Sequence, residues 1–513
     1  MTLRTRTVST LALAAAVAAA LSACTATGAD GSDSTEPTVL KIGTATAFSS
    51  WDPTQASEGH LFPAYQAVYD TLLRKEADGT LSPWLATDWT YDEDDTQLTL
   101  DLRDDVTFSD GTALDADVVV ANLDAFRDGT GSAATTLANV ADVEAVDSDT
   151  VRIELSEPDP ALLDYLANAA GLIASADAVG TDSIATTPVG SGPYTLDAED
   201  SSVDDTLVFV KNEDYWNPDV QHYDRIEISY LPDATARLNA LLSGQVDAAV
   251  LDVKSADEAA SAGYGVLDNP INWRGFVISD RAGTLVPALA DVRVRQAINY
   301  AIDSSSILSE IYGGYGTVTS QIFGPDSTAY VADLDDAYPY DPEKAKELLA
   351  EAGYADGFAL QFTYWANYTD AAEIPVLIDE FAAVGITATA VAVPGDAEVA
   401  DVFAGDYPLS LINLFQPNTF QTIGQALLPD STYNLLGTQD ATVDAEVEQI
   451  QYGGDTDAAT QAAQELNEYI VDQAWFAPWF RSSVLWGYDT DTVSVEIQAQ
   501  QAAPSIYNYS PAG

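Results

Sequence analysis

The side chains that most often carry out enzyme chemistry are scarce in this sequence. It has two histidines, His60 and His222, and one cysteine, Cys24. His222 lies in the polar segment NPDVQHYD, which is typical of a solvated loop. The sequence contains no G-x-S-x-G, H-E-x-x-H, G-x-G-x-x-G, P-loop or EF-hand motif, and its carboxylate pairs are too frequent to indicate a metal site or a catalytic pair. We therefore predict no catalytic residue, no metal site and no cofactor.

The single cysteine follows a leader-like segment. Arg4 and Arg6 precede an apolar stretch, Leu11 to Ala20, that is too short to span a bilayer, and the small residues of LSAC come next. This arrangement resembles the lipobox of bacterial lipoproteins, in which a signal peptidase cuts before the cysteine and its sulfur carries a diacylglycerol. The resemblance implies a signal peptide over residues 1–23 and a lipidated Cys24 at the outer face of the cell membrane. A buried free cysteine behind an ordinary signal peptide is the alternative.

Acidic residues greatly outnumber basic ones. The chain has 81 Asp and Glu against 19 Lys and Arg, a net charge of −62. Loss of Arg4 and Arg6 with the signal peptide leaves 17 basic residues, and 17 − 81 gives −64. Nucleic acid is excluded as a partner because a phosphate backbone is bound by clustered Lys and Arg. Two explanations of the charge stay open, a solvated acidic surface that maintains solubility and adaptation to high salt.

The sequence pattern predicts an α/β fold after a flexible tether. Residues 24–38 have almost no large apolar side chain, which predicts the tether. Apolar residues at i, i+3, i+4, i+7 and i+8 from Val294 predict a helix through Ile302 that Asp291 caps. Asp341 and Pro342 predict the start of a second helix, and Gly353 its end. Strand patterns occur at Val39–Thr44, Gln97–Leu102, Val151–Leu155, Leu207–Lys211, Arg225–Tyr230 and Ile386–Val393.

Three groups of motifs occur in order along nearly the whole folded part of the chain. They are YDTLL (69–73), PWLATDW (83–89) and LRDDVTFSDG (102–111); VGSGPY (189–194), KNEDYW (211–216) and LLSGQVD (241–247); and DVRVRQAINYAID (291–303) with YDPEKAKELLAEAGYADG (340–357). Their sequence and spacing resemble the extracellular solute-binding proteins of peptide-type ABC importers, solute-binding protein family 5. Members of this family bind peptides, nickel complexes and some oligosaccharides.

The resemblance implies a two-lobed, periplasmic-binding-protein-like α/β fold with an extra subdomain in the first lobe. Residues 39–271 and 482–513 would form lobe I, with the subdomain at 83–187, and residues 272–481 would form lobe II. The protein would be a monomer that passes its solute to ABC permease subunits in the membrane. Trp84, Trp89 and Trp216 of the signature motifs would pack in the cores.

The ligand of such a protein is expected between the lobes. The loop after the first strand contains Trp51, Glu58, Gly59 and His60, and the matching loop of the family lines the cleft. Trp273 and Arg274 lie at the first crossing between lobes, where Arg274 could bind a ligand carboxylate or form an inter-lobe salt bridge with one of the many acids. Trp365, Asn367 and Tyr368 follow a strand pattern in lobe II. For the aromatic residues of these segments, ordinary packing is the alternative.

The segment Leu409 to Phe420 (LSLINLFQPNTF) departs from the pattern of peptide binders. In those members a carboxylate shortly before a Pro-x-x-Phe-like segment binds the amino terminus of the peptide, whereas Gln416 precedes the proline here. We expect this segment to contribute Asn413, Phe415, Gln416 and Phe420 to the ligand site. Backbone pairing with an extended peptide does not need the carboxylate. An oligopeptide is the leading ligand, an oligosaccharide or other non-peptide solute the alternative, and a secreted hydrolase the alternative from another class.

Overall fold

One large mixed sheet runs through the folded part of the chain. The computed structural model describes residues 37–56, 59–394, 406–434, 436–454 and 456–513. Cys24, most of the predicted tether and Glu58 lie outside the described residues. Thr38–Gly513 forms one compact unit. Within the described ranges we find no helix with the length and apolar composition that spanning a bilayer requires.

The described residues form helices and strands along the chain. The α-helices are α1 (Phe62–Val68), α2 (Ala116–Arg127), α3 (Leu162–Leu166), α4 (Ala234–Leu242), α5 (Val253–Ser261), α6 (Val292–Tyr300), α7 (Ser304–Glu310), α8 (Pro342–Glu351), α9 (Glu373–Ala383), α10 (Thr419–Ala426), α11 (Ala441–Gln451) and α12 (Asp457–Asp472). The strands are β1 (Val39–Thr44), β2 (Asp70–Thr71), β3 (Leu73–Lys75), β4 (Leu81–Pro83), β5 (Ala86–Tyr91), β6 (Gln97–Leu102), β7 (Val140–Ala145), β8 (Thr150–Leu155), β9 (Leu172–Ile173), β10 (Tyr194–Leu196), β11 (Thr206–Lys211), β12 (Arg225–Tyr230), β13 (Ala248–Leu251), β14 (Gly265–Ile278), β15 (Gly316–Val318), β16 (Phe358–Trp365), β17 (Ile386–Val393), β18 (Leu409–Phe415), β19 (Phe476–Tyr488), β20 (Val493–Val495) and β21 (Tyr509–Pro511).

The structure contains the strands and helices that the sequence pattern predicted, although the boundaries of some differ. All six predicted strands are confirmed, and β8 and β11 begin one residue earlier than expected. The Asp341 carboxylate accepts a hydrogen bond from the Lys344 backbone N–H at 2.9 Å, which confirms the predicted cap of α8. Helix α6 ends at Tyr300 rather than continuing through Ile302. The chain turns there because Asp303 caps the next helix, α7, by accepting from the Ser306 backbone N–H at 3.0 Å.

Eleven strands form the large sheet within the described residues. Their order is β10-β11-β12-β1-β13-β19-β14-β18-β16-β17, with β15 paired to β19. The antiparallel strands β14 and β19 are long and lie at the centre, and their pairing register shifts between Asn269 and Asn272 and again between Arg274 and Gly275. The predicted lobe boundaries, 271/272 and 481/482, fall inside these two strands.

Buried apolar side chains form separate clusters on either side of these positions. We use first lobe for residues 38–271 with 482–513, and second lobe for residues 272–481. Each cluster has all its buried members in one lobe: two clusters belong to the first lobe and two to the second. The first lobe also holds a four-stranded sheet in the order β5-β6-β8-β7. Helix α2 packs on this sheet, and its buried face includes Val119, Leu123 and Phe126.

Candidate functional site

A cavity of about 700 Å³ lies between the two lobes. Its described lining comprises Asp78, Gly79, Thr80, Leu81, Trp89, Tyr91, Asp95, Pro158, Asp159, Pro160, Leu163, Asp164 and Gln500 of the first lobe, and Asp326, Ser327, Thr328, Asn418, Thr419, Phe420, Ile450, Gln451, Gly454, Ala459 and Thr460 of the second. Cavities of roughly 300–1,000 Å³ are typical sites for small molecules. The position between lobes also agrees with the expected place of the ligand.

Three hydrogen bonds connect the lobes around this cavity. Asn418 Nδ2 donates to Asp164 Oδ2 at 3.1 Å. Gln451 Nε2 donates to the Pro158 carbonyl oxygen at 3.1 Å, and Gln500 Nε2 donates to the Asp326 carbonyl oxygen at 3.4 Å. Side chains of both lobes therefore meet at its edges, and a movement of one lobe relative to the other would break these bonds.

Asn418 can reach the first lobe because of its position at the start of α10. Its Oδ1 accepts a hydrogen bond from the Gln421 backbone N–H at 2.9 Å, as an N-cap residue does, and its Nδ2 is left to bind Asp164. The next residue, Thr419, is hydrogen-bonded through Oγ1 to Ser327 and Thr328, both at 2.7 Å. These contacts fix the loop at 326–328 against the end of the helix.

Lys75 supports the same contact from the first lobe. Its Nζ donates to Asp164 Oδ1 at 2.9 Å and to Gln500 Oε1 at 2.6 Å. Lys75, Asp164 and Asn418 also line a small neighbouring cavity of about 10 Å³, together with Phe415. That volume holds about one water molecule. Of these two neighbouring cavities, the large one can hold a solute.

Aromatic and acidic groups make up much of the wall. Trp89 and Tyr91 lie two residues apart on β5 and therefore on the same face of the strand. Burial raises the pKa of Tyr91, and the nearby charges of Asp159 and Asp95 raise it further. Asp159 accepts hydrogen bonds from the Ala161 backbone N–H and from Asn139 Nδ2, and burial raises its pKa.

The segment Leu409 to Phe420 is divided between this site and the core. Phe420 lines the large cavity, and Phe415 lines the small one. Gln416 is buried, and its Nε2 donates to the Ile322 carbonyl oxygen at 2.7 Å. Asn413 is exposed and accepts a hydrogen bond from Ser482 at 2.5 Å. The end of this segment thus reaches the cavity, and its middle packs beneath it.

The loop after β1 lies elsewhere in the first lobe. Trp51 is 1% exposed and packs against Phe48 and Phe209, so that its ring is part of the core. His60 lines a separate cavity of about 10 Å³, and burial lowers its pKa. Gly59 has a φ of +108°, a conformation that favours glycine. The described residues of this loop do not line the inter-lobe cavity.

The residues predicted at the first crossing are also buried. Trp273 packs edge-to-face on Phe476 with ring centres 5.7 Å apart. Arg274 forms an ion pair with Glu373 of α9. Both partners belong to the second lobe, so this pair is not the inter-lobe salt bridge that was the alternative. In this structure neither Trp273 nor Arg274 lines the inter-lobe cavity.

Trp365, Asn367 and Tyr368 lie at the carboxyl end of β16. Strands β16 and β18 are parallel, so their carboxyl ends lie at one edge of the sheet, from which the chain also enters α10. Trp365 packs partly against the core of the second lobe, whereas Tyr368 is 72% exposed. The three residues are not part of the described lining of the cavity. They lie at the same edge of the sheet as the end of β18, from which the chain enters α10.

Sequence reasoning missed most of the cavity wall. Trp89 was expected in a core, but it is partly exposed and lines the cavity, whereas Trp84 is buried as expected. Asp159 and Asp164 carry no signal in a chain with 81 acidic residues. Asn418 could have been predicted from the sequence. An Asn before an apolar helical pattern predicts an N-cap residue, which projects from the end of a helix. Among the described residues, no group of three or more His, Cys, Asp or Glu is arranged to hold a metal ion.

Comparison with known proteins agrees with this geometry. The family model of bacterial extracellular solute-binding proteins, family 5 middle, matches residues 80–423. The glutathione-binding protein GsiB of Escherichia coli (strain K12) is 28% identical over 400 residues, which cover 75% of each chain. These similarities lie among solute-binding proteins, not enzymes.

Two solved structures share the fold. The periplasmic binding protein DppA of Helicobacter pylori, in complex with the peptide STSA, superposes with a TM-score of 0.75 at 20% identity, over 93% of this chain and 98% of its own. NikA of Brucella suis, in complex with Fe(III)-EDTA, has a TM-score of 0.79 at 23% identity, over 92% of this chain and 99% of its own. At these identities the similarity shows the fold alone, and it confirms the two-lobed α/β fold of periplasmic binding proteins.

Proposed function

The chain belongs to family 5 of the bacterial extracellular solute-binding proteins, and on this premise we propose that it binds an oligopeptide between its lobes and delivers it to the membrane permease. As a member of the family it is the extracytoplasmic substrate-binding component of an ABC importer and not an enzyme. The observation that carries the proposal is the cavity of about 700 Å³, whose lining comes from both lobes.

The lining of the cavity supports a peptide ligand. Loops and helix ends of both lobes meet there, and such segments offer backbone groups that can pair with an extended chain. The similar fold of DppA, which binds the peptide STSA, favours the same class of solute. The aromatic faces of Trp89, Tyr91 and Phe420 would also stack on sugar rings, which makes an oligosaccharide the second candidate.

We also infer that the lobes move about β14 and β19. The register of this strand pair shifts at two places close to 271/272 and 481/482, where regular pairing is interrupted. Binding of solute would favour the closed arrangement, in which Asn418 meets Asp164.

Mass spectrometry of the solute that co-purifies tests the proposal. The protein would be unfolded mildly, its released solutes identified, and the refolded protein titrated with the identified compound in a calorimeter. We expect a peptide that binds with 1:1 stoichiometry, is not converted, and decreases the radius of gyration in solution scattering. Recovery of a non-peptide solute with these properties would overturn the peptide class, and turnover of the solute would contradict a binding role.

Two aromatic variants locate the site. Trp89 lines the cavity and Tyr368 is exposed outside its described lining. We expect Trp89→Ala to weaken binding by about tenfold or more, since aromatic contacts dominate many binding sites. Tyr368→Ala is the matched control and should bind within about twofold of the wild type. The opposite result would place the solute at the end of β16.

We propose further that Cys24 carries the lipid anchor. The lipobox-like segment LSAC supports this, as does the tether-like composition of the residues that follow it. One acyl chain holds a protein on a membrane weakly, whereas two hold it stably. Cys24→Ala should release the protein from the membrane fraction or leave the precursor uncut, and unchanged fractionation would contradict the anchor.

A further inference from the structure

Five carboxylates line the inter-lobe cavity. Asp78, Asp95, Asp159 and Asp164 belong to the first lobe, and Asp326 belongs to the second. Among the described residues that line the cavity, none is Lys, Arg or His. The acidic groups therefore come from both lobes, and any solute between the lobes would lie among them.

The protein neutralises one of the five. Lys75 forms an ion pair with Asp164 at 2.9 Å. Across the described part of the chain, no basic side chain forms an ion pair with Asp78, Asp95, Asp159 or Asp326. Four carboxylates are left without a cationic partner: Asp159 is buried, Asp95 is half-buried, and Asp78 and Asp326 are exposed. Their uncompensated charge acts most strongly at Asp159 and Asp95, because charges interact more strongly where water is excluded.

Asp159 is a buried member of these unpaired carboxylates, so negative charge lies within the cavity wall as well as at its surface. Its side chain is 7% exposed, and its hydrogen-bond donors are neutral, the Ala161 backbone N–H at 3.0 Å and Asn139 Nδ2 at 3.1 Å. A buried carboxylate without a cation is unfavourable, and a cation beside it would offset that cost. Burial raises the pKa of the Tyr91 hydroxyl, and the charges of Asp159 and Asp95 add to this effect, so both carboxylates act on the aromatic wall.

The aromatic lining suits a cation as well. The faces of Trp and Tyr rings attract ammonium and guanidinium groups, most strongly where the cation is desolvated. Trp89 and Tyr91 lie on one face of β5, and Phe420 belongs to the opposite lobe. A basic group in this cavity would thus find both ring faces and carboxylates.

From these observations we propose that the solute carries a net positive charge, as a peptide with Lys or Arg side chains does. The inference rests on the proposed function, which it narrows from oligopeptides to basic ones. An anionic solute would meet four uncompensated carboxylates and no basic side chain in the described lining. This holds whatever the reason for the acidity of the whole chain, because the potential inside the cavity depends on the charges that are there.

A selection experiment tests the charge of the solute separately from its class. The refolded mature protein, freed of co-purified solute, would be mixed with an equimolar set of probes at low ionic strength. The set contains tetrapeptides randomised among Ala, Phe, Gln, Lys and Glu, together with spermidine, maltotriose and citrate. After gel filtration the retained probes would be identified by mass spectrometry. We expect peptides with one or more Lys to be enriched at least tenfold over their Gln counterparts, and Glu-containing peptides to be absent.

The outcomes distinguish the charge inference from the proposed peptide function. Retention of neutral or acidic peptides would overturn the charge inference and leave the peptide function standing. Retention of spermidine without any peptide would overturn the peptide function and support the charge inference. Retention of maltotriose or citrate would overturn both, and failure to retain any cationic probe would also overturn the charge inference.

Two substitutions, one in each lobe, test whether carboxylates of the cavity bind the positive charge of the solute. Asp95→Asn is compatible with the fold because the φ of Asp95 is +53°, which Asn tolerates, and Asp326→Asn changes an exposed loop residue. In the double variant we expect the selected Lys peptide to bind about tenfold more weakly and its Gln counterpart to bind unchanged. Glu213→Gln, exposed and outside the cavity lining, is the control for net charge and should have no effect. Wild-type affinity of the double variant for the Lys peptide would overturn the inference.

Discussion

Arg274 and Glu373 form an ion pair in which both side chains are almost fully buried. The guanidinium is 3% exposed and the carboxylate 0%. Arg274 Nε donates to Glu373 Oε1 at 2.8 Å, and Nη2 donates to Oε2, to which the Tyr312 hydroxyl also donates at 2.9 Å. The pair connects the central strand β14 with the first turn of α9. The Glu373 carboxylate already accepts hydrogen bonds from two nitrogen atoms of the Arg274 guanidinium. In this structure Arg274 therefore stabilises the second lobe.

We predict that Arg274→Ala lowers the free energy of unfolding by about 3–5 kcal/mol, because it leaves the Glu373 carboxylate buried without a cation. Affinity of the refolded variant for the solute should stay within about twofold of the wild type. Denaturant unfolding and calorimetry measure the two quantities.

The control is Arg293→Ala, which removes an exposed ion pair with Asp291. It should change stability by less than about 1 kcal/mol. If Arg274→Ala left stability unchanged and abolished binding, the guanidinium would be a ligand anchor instead.

Asp70 shows what the signature motifs do. Its buried carboxylate accepts hydrogen bonds from Trp84 Nε1 and Tyr215 Oη, both at 2.8 Å, from Ser191 Oγ at 2.8 Å and from Trp216 Nε1 at 3.1 Å. The four donors belong to PWLATDW, VGSGPY and KNEDYW, segments that are far apart in the sequence. Four of the motifs, counting the YDTLL segment that contains Asp70, thus meet at one acidic group of the scaffold that does not line the inter-lobe cavity.

We predict that Asp70→Asn destabilises the protein by about 3 kcal/mol, because an amide replaces one acceptor oxygen and turns N–H groups toward other donors. Urea unfolding followed by tryptophan fluorescence measures the change. Asp214→Asn, in the same motif region but exposed, should alter stability by no more than about 0.5 kcal/mol. A variant of Asp70 as stable as the wild type would show that the four donors find other partners.

The sequence was informative where structure is decided locally. Asp341, Pro342 and Gly353 predicted helix α8 because capping and helix termination depend on a few adjacent residues. The alternation in Ile386 to Val393 predicted β17 for the same reason. The motif resemblance then supplied what no local pattern contains, the arrangement of these elements in two lobes.

The binding site was harder to predict because its wall comes from separate parts of the chain. Phe420 and Trp51 were both predicted at the ligand site, and Phe420 lines the cavity whereas Trp51 lies in a core. The sequence does not show whether an apolar side chain after a strand packs in the core or lines a cavity. Asp159 could not be distinguished from the other carboxylates until folding brought it beside Trp89 and Phe420.

Glu380 of α9 gives the protein a dependence on pH near neutrality. Its Oε1 accepts a hydrogen bond from the Asp303 backbone N–H at 3.2 Å, and its buried Oε2 has no hydrogen-bond partner in the described part of the chain. Burial, and then the charge of Asp303, raise the pKa of Glu380 to about 7. The usual value is 4.5, so the folded state holds this proton up to a higher pH than the unfolded state does.

The stability from this proton is therefore complete below pH 4.5 and is lost as the pH rises through 7. We predict that Glu380→Gln is more stable than the wild type at pH 8 by about 1–2 kcal/mol, after the shift is reduced for solvent screening, and equally stable near pH 4.5. Denaturant unfolding at both pH values measures the difference. Glu310→Gln, an exposed control, should show no such pH dependence. Equal stability of Glu380→Gln and wild type at pH 8 would contradict the raised pKa.

The net charge of −62 should make the protein depend on salt. At an ionic strength of about 0.15 M the screening length is about 8 Å, so neighbouring carboxylates still repel each other. We predict that the melting temperature rises as NaCl increases from 10 mM to about 0.5 M, where the screening length becomes short, and then levels off. A non-ionic osmolyte at equal osmolarity is the control for effects that do not involve charge.

A local variant separates charge repulsion from general effects of salt. Glu93 and Asp94 are exposed and lie between Asp92 and Asp95, four consecutive acidic residues before β6. Glu93→Gln with Asp94→Asn should raise the melting temperature at 10 mM NaCl and reduce the further gain on adding salt, because the repulsion that salt screens has been removed. A melting temperature that does not change with NaCl in either protein would show that the carboxylates are spaced widely enough for repulsion to have no effect on stability.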